Sequence, residues 1–265
     1  VNDMMKSQSE ENDSLVIGNF SATLSAGHAK DLLKGLESLG DQTIFTFSAD
    51  KGLETGMVAN DVSTLIRCQL TPELFEEYTF VGEAPIKLGV VLERVKDITK
   101  TLTTKDTLKF VYDSKQPNVL LIDANNMRRT IRLVKLGLLK EVPIMPIPEN
   151  GWDYNFDIPL KSVKDYLKAV PKGFSEFSVI VNKSLETFTL LTSGESPIEL
   201  SLVPENWNCT GDSRTHYGVE KLAAGISMAK KTNATIYGGD SLPVLIQWNH
   251  AENFKCECGV APRLK

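Results

Sequence analysis

The sequence predicts a duplicated α+β fold, mostly antiparallel sheet with short helices on one side. Two observations carry this. A strand, a short amphipathic helix and then several strands recur along the chain, and four such strand–helix units begin near residues 17, 86, 155 and 213. A proline-rich stretch separates the first two units from the last two. The 265 residues, 42% of them apolar, are enough to fill the cores of two ordinary domains.

The first unit opens with a strand over Ile17 to Leu24. A helix follows from about His28 to Leu39, with Leu32, Leu33, Leu36 and Leu39 at helical spacing on one face. Strand-like runs come next at Thr43–Phe47, Gly52–Val58, Ser63–Leu70 and Phe75–Phe80. The second unit has a strand over Ile86–Val90 and a helix from Val91 to Lys100, with Val91, Leu92, Val95 and Ile98 inward. Strands at Thr107–Asp113, Val119–Asp123 and Met127–Leu133 complete the first half.

Leu136 to Trp152 breaks the pattern. It holds Pro143, Pro146 and Pro148 between Gly137 and Gly151, too many prolines for a helix or a central strand. It reads as an extended linker. Beyond it come a strand at Asn155–Ile158 and a helix over Lys161–Val170. Strands at Phe177–Asn182, Thr187–Thr192 and Ile198–Val203 follow. A fourth helix is expected from Gly218 to Lys231, with Val219, Leu222, Ile226 and Ala229 inward, then strands at Ala234–Tyr237, Val244–Trp248 and Phe254–Val260. The expected domains are a flexible extension over 1–15, a first domain over 16–135, a connecting loop over 136–152 and a second domain over 153–265.

Several function classes are excluded by what the sequence lacks. No apolar run reaches the roughly 18 residues of a membrane helix, and the polar start, with Glu10 and Glu11, is no secretory signal as written. Cys68, Cys209, Cys256 and Cys258, with His28, His216 and His250, make no metal-ligand spacing, so no metal is expected. They read as buried or strand thiols in a reducing compartment. No glycine-rich phosphate loop follows a strand, no serine elbow is present, and Cys209 with His216 lacks an orienting third group. No catalytic residue and no cofactor is expected.

The net charge of −5 argues mildly against a nucleic-acid partner, but its distribution matters more than its sum. Each helix carries basic residues: Lys30 and Lys34 on the first, Arg94, Lys96 and Lys100 on the second. The third has Lys161, Lys164 and Lys168, with Lys172 just after it, and the fourth has Lys221, Lys230 and Lys231. Like charges three and four apart cost a few tenths of a kcal/mol per pair, so such a set is consistent with a field for phosphates. It is equally consistent with ordinary solvated faces, because Asp31, Glu37, Glu93, Asp97, Asp165 and Glu220 share these helices. If the helices line one side of the sheet, the basic residues collect on one surface.

The plan of two similar halves, a linker and four short basic helices resembles the sliding clamps of the proliferating-cell-nuclear-antigen (PCNA) type. The segment from Asp240 through Pro243 to Asn249, then a hairpin and Val260-Ala261-Pro262-Arg263, is similar to the closing strands and terminal Leu-Ala-Pro motif of that family. Gly52 to Leu65, with Met57 and Val62-Ser63, and Pro85 to Leu92 resemble earlier family segments. The likeness spans residues 16 to 263 and lies in the ordered set, not in any one motif.

The resemblance implies a ring of three subunits, antiparallel sheets outside and four short helices on the inner face. The ring would encircle double-stranded DNA without reading sequence, these lysines and Arg94 facing the phosphates. It would act as a processivity factor in replication and repair, an intracellular DNA-associated scaffold and not an enzyme. DNA polymerase, clamp loader and other proteins would dock short peptide motifs in a pocket of Met57, Met145, Ile147, Pro243, Val260, Ala261 and Pro262. Subunits would join edge strand to edge strand, Met127–Leu133 against Pro197–Val203, with Arg128 and Arg132 complementing Glu195 and Glu199. The chain departs from the family at Gly259, where an aromatic is usual, and in a linker lengthened over Gly137–Val142. A subunit of a specialised or heteromeric clamp, or a monomeric clamp-like peptide-binding module, are the other readings.

Overall fold

A computed structural model describes residues 18–263. The expected extension at 1–15 lies outside the described residues. The first half runs β1 (Asn19–Ser25), α1 (Ala26–Glu37), β2 (Gln42–Ser48), β3 (Gly52–Val58), β4 (Thr64–Leu70), β5 (Glu77–Val81), β6 (Ile86–Val91), α2 (Leu92–Thr99), β7 (Thr107–Asp113), β8 (Val119–Ala124) and β9 (Met127–Arg132). The second half repeats that order as β10 (Tyr154–Pro159), α3 (Leu160–Ala169), β11 (Glu176–Asn182), β12 (Thr187–Thr192), β13 (Glu199–Leu202), β14 (Glu205–Cys209), β15 (Ser213–Gly218), α4 (Val219–Gly225), β16 (Asn233–Gly238), β17 (Val244–Ala251) and β18 (Phe254–Val260).

Local chemistry explains the element ends. The Ser25 side chain accepts from the His28 N–H and caps α1, whose Leu32, Leu33 and Leu36 are buried. Asn125 and Asn126 both adopt positive φ, 47° and 63°, in the two-residue turn between β8 and β9. A tight hairpin demands that geometry, and Asn supplies it at low cost. Fluent alternation, such as the buried-every-second pattern of β2 and β12, buries one face of each strand.

Two expectations need correcting. The fourth helix was expected to reach Lys231 but stops at Gly225. The Lys164 ammonium takes the carbonyls of Ser227 (3.2 Å) and Ala229 (2.5 Å), acceptors that a continuing helix would give to its own N–H groups. Ile226, Met228 and Ala229 stay buried in the turns that follow. Lys230 and Lys231 therefore sit on a loop. Secondly, β14 has no counterpart in the sequence reading. Its one large apolar side chain, Trp207, stacks on Phe156 with ring centroids 5.0 Å apart, while its neighbours are polar.

The strands of the described residues form three sheets. The largest has the order β14-β10-β16-β17-β18-β4-β3-β2-β6, and the others are β5-β1-β7-β8-β9 and β13-β12-β11-β15. The nine-stranded sheet joins the two halves through one antiparallel seam, β18 against β4, in register from Phe254↔Leu70 to Val260↔Thr64. The helices pack beside one another, α1 on α2 and α3 on α4, and α4 lies across that seam on both β4 and β18. A single apolar cluster runs beneath them, with Phe20 stacked on Phe47 at 3.9 Å in one half and Tyr154 on Phe156 at 5.2 Å in the other. All four cysteines are free thiols. Burial pushes Cys258 up to about 12, which keeps it protonated and unreactive.

The two smaller sheets repeat the large one. Replacing each strand by its counterpart in the other half turns β14-β10-β16-β17-β18 into β5-β1-β7-β8-β9, and β4-β3-β2-β6 into β13-β12-β11-β15. The chain thus contains one complete nine-stranded sheet and the two parts of a second. These parts end at β9 and β13, the counterparts of the paired strands β18 and β4.

Candidate functional site

The helix layer carries the basic set, but most of it is already paired. Lys96 meets Glu37 at 2.7 Å, Lys100 meets Asp97 at 2.7 Å, and Lys161 and Lys168 share Asp165. Lys221 pairs with Asp61 and Lys230 with Asp31. Lys30 donates to the Leu102 carbonyl, and Arg94 to the Arg132 carbonyl at 2.8 Å, tying α2 to the end of β9. Lys164 is taken up by the Ser227 and Ala229 carbonyls just beyond α4. Its ammonium pKa is lowered, first by burial and then by the nearby charges of Lys34 and Lys168. Among the described residues, Lys34, Lys172 and Lys231 have no ion-pair partner and are exposed. The helix surface is therefore a mixed field with three uncommitted cations.

Beneath these helices the halves meet at a polar cluster. His250, whose side chain is 1% exposed, contacts Asp31 of α1 at 2.9 Å, and Lys230 binds the same carboxylate oxygen. Burial works to raise the Asp31 pKa, but the hydrogen bonds from His250 and Lys230 outweigh it and hold the carboxyl below its usual range. His28 nearby is lowered by burial and then by His250.

The linker crosses the outer face of the nine-stranded sheet. Leu139, Val142, Met145 and Pro148 are half-buried and every residue between them is exposed. A three-residue period is that of a polyproline II strand. Its inward residues land on glycines: Leu139 on Gly89 of β6, Val142 on Gly56 of β3, and Met145 on Gly259 of β18. The turned-out face leaves Leu138, Ile144 and Ile147 exposed at 76%, 75% and 74%. Beside the linker a groove of about 710 Å³ is lined by mixed charges, among them Arg67, Lys87, Glu141 and Glu257.

The proposed pocket residues divide between two faces. Met145 and Ile147 lie on the linker, and Pro243, Ala261 and Pro262 are half-buried or exposed. Met57 and Val260 do not join them. They are 7% and 0% exposed, and Met57 packs over Gly40 at the end of α1. Strand alternation turns both toward the helix layer, since Gly56 and Gly259 beside them face the linker. Val62, which the sequence named only as part of a Val-Ser pair, was not assigned to the pocket. It is 65% exposed at positive φ (58°) in the β3–β4 turn, next to Ser63, whose carbonyl accepts from the Ala261 N–H at 2.8 Å. Its position in a Val-Ser pair before a strand was the only signal.

The expected joining edges are edge strands of the two smaller sheets, β9 and β13, though β13 spans only Glu199–Leu202. Arg128 is held by Asp123 through two bonds of 2.7 and 2.8 Å, and Arg129 reaches Asp97 at 3.5 Å. Arg132, Glu195 and Glu199 are exposed. Among the described residues no His/Cys/Asp/Glu group could hold a metal, and no helix is long and apolar enough to cross a membrane.

No family model and no curated protein matches the chain by sequence. Solved structures match nearly all of it. The PCNA of A. fulgidus, solved with the C-terminal region of FEN-1 bound, aligns at TM-score 0.82 and 18% identity, over 93% of this chain and 99% of that one. PCNA from Thermococcus kodakaraensis aligns at 0.79 and 19%, over 92% and 100%. PCNA from Entamoeba histolytica aligns at 0.74 and 19%, over 92% and 99%. Near-complete coverage of both partners in each comparison leaves no large element unmatched, and the chain has the fold of the PCNA-type clamps.

Proposed function

We propose that this chain is one subunit of a ring-shaped sliding clamp that encircles duplex DNA and tethers polymerase and other replication and repair proteins. The observation that carries the reading is the divided second sheet. A five-stranded part ends at β9 and a four-stranded part at β13, and together they repeat the complete sheet strand for strand. Pairing β9 of one subunit with β13 of the next completes a nine-stranded sheet at every joint and removes two exposed edges. Such a head-to-tail contact either closes into a ring or runs on as a filament. The likeness to PCNA clamps favours closure, with three subunits.

In that ring the helix layer faces the hole and the sheets face outward. Lys34, Lys172 and Lys231 supply uncommitted cations toward phosphate, and the others add weaker, shared charge. An encircling ring is held by topology, so weak contacts suffice, and these touch phosphate without reading bases. This accommodates a chain of net charge −5. Partner peptides would dock outside, where Ile144 and Ile147 offer apolar surface on a strand stiffened by prolines, at low ordering cost, and Pro243, Ala261 and Val62 add to it. The neighbour that carries a FEN-1 C-terminal region supports this mode of partnership.

A threading assay tests the reading. The chain is incubated with linear duplex whose ends are then blocked by streptavidin. Retention on blocked duplex and loss from open duplex is the expected result. Equal loss from both overturns encirclement.

A further inference from the structure

We propose that subunits join in a single register centred on Arg128 and Glu199, and that this ion pair has the opposite polarity to the matching pair inside the chain, so that each joint rejects the other's strands. The proposal rests on the ring reading above. It adds which residues meet and why the right strands find each other.

The register follows from the internal repeat. Ser25 and Pro159 precede α1 and α3 at matching positions. Ser25 pairs with Thr107 and Pro159 with Asn233, so β7 and β16 align. Phe110 then pairs with Ile122 as Ile236 does with Ile246. Asp123 pairs with Arg128 as Gln247 does with Glu257, and Arg128 thereby occupies the place of Glu257. The same walk on the other side starts from Val91 and Gly218, which precede α2 and α4. They pair with Gln42 and Glu176. Phe45↔Thr55 matches Val179↔Leu190, and Thr55↔Cys68 matches Leu190↔Leu200. Glu199 thereby occupies the place of Arg67.

Inside the chain, Glu257 and Arg67 are directly opposed across the seam and form an ion pair at 3.1 Å. Gln247, on the next strand, donates to the free oxygen of Glu257 at 3.3 Å. Carrying this register to the open edges places Glu199 opposite Arg128, with Asp123 in the role of Gln247. The counterpart of Ala261 and Ser63 then sets Arg132 opposite Glu195. On the helix-facing side, Met127 meets Leu200 and Arg129 meets Ile198. Met127 is 53% exposed in the single chain, and burial against Leu200 would remove that surface from water.

The polarity is what sorts the strands. In the inner seam the acid is on β18 and the base on β4; in the outer joint the base is on β9 and the acid on β13. Pairing β18 with β13 would oppose Glu257 and Glu199, and pairing β9 with β4 would oppose Arg128 and Arg67. Like charges directly opposite are destabilising in a ladder, and across an interface they suppress wrong partners. The partner that fits β9 is therefore the β13 of a second copy of this chain. Pro197, opposite Thr130, lacks an N–H, so the outer joint forgoes one ladder bond and depends more on its ion pairs.

Two sets of variants test this by light scattering over a dilution series. Glu199→Arg alone and Arg128→Glu alone should each weaken assembly at least tenfold. The two together should restore it to within about tenfold of wild type. Independently, Met127→Cys with Leu200→Cys should cross-link between copies on treatment with diamide. Their internal counterparts, Cys256 and Cys68, lie with sulfurs 3.7 Å apart. Wild-type assembly without the cross-link, or single variants that assemble normally, overturns the register while the ring stands. A wild-type chain that neither assembles nor threads overturns the ring reading itself.

Discussion

Met145 lies directly over Gly259, so that a Cβ on the glycine would overlap the terminal methyl of the methionine. The missing side chain on the sheet and the methionine on the linker are thus two halves of one contact. The strap is laid flat on β6, β3 and β18, held by three apolar residues over three glycines. Gly259→Tyr should lift this end of the strap. Trypsin cleavage at Lys140, which is exposed in the linker, should become faster while the melting temperature moves little. Unchanged cleavage kinetics would mean that Met145 swings aside without freeing the strap.

The same contact concerns partner binding. Met145 fills the space that a side chain at position 259 would take, so in the proposed pocket its flexible thioether would form part of the floor. Met145→Ala should weaken a bound clamp-binding peptide several-fold in a calorimetric titration, and Ile147→Ala should do likewise because its side chain is 74% exposed and lies on the turned-out face. Met57→Ala should instead lower stability by roughly 2–5 kcal/mol, as expected for a buried methionine, with peptide affinity retained. Equal losses of affinity in all three would place Met57 back in the pocket.

Much of this architecture was legible because period-two and period-3.6 patterns are strong where a face is buried. Leu32, Leu33 and Leu36 announced α1, and the proline count announced the linker. The failures have physical reasons. Trp207 alone cannot signal a strand, so β14 was invisible. Ile226 and Ala229 keep helical spacing after α4 has ended, because turns stacked on the core bury the same positions. The lysines were found, but their neutralisation was not, since Glu37, Asp61 and Asp31 come from other elements than Lys96, Lys221 and Lys230.

That neutralisation makes a prediction about the helix surface. Replacing Lys34, Lys172 and Lys231 with Ala should reduce duplex retention more than replacing Lys96, Lys100 and Lys161. A cation already paired with a carboxylate releases less counterion from DNA when it approaches phosphate. Each uncommitted lysine that contacts a phosphate should remove about 0.9 from the slope of log affinity against log salt. Anisotropy titrations of a short duplex at several salt concentrations give the slopes. Equal effects of the two sets would show that the ion pairs open on binding.

Lys164 has a different role from its neighbours. Its ammonium holds the Ser227 and Ala229 carbonyls where α4 ends. Lys164→Met keeps the stem and removes the donors, leaving two part-buried acceptors unmet. A loss of about 1–3 kcal/mol in urea unfolding is expected, the cost of an unsatisfied buried group. A loss below the error of the measurement would mean that water replaces the ammonium at this turn.

The cluster between the halves sets how stability responds to acid. The His28 pKa is lowered in the folded chain, first by burial and then by His250, with Lys230 adding to this and Asp31 opposing it. In the unfolded chain His28 titrates at its ordinary value, about 6.5. The unfolded state therefore binds the proton first as pH falls, and stability declines once the pH drops below that value. Asp31 acts in another window. Its folded pKa is depressed, so its contribution persists at pH 5 and is lost only as pH falls through the carboxylate range. Melting temperature measured between pH 7.5 and 5.5 should fall for the native chain, and His28→Gln should flatten the dependence. An undiminished slope in that variant would show that His28 does not carry the acid response.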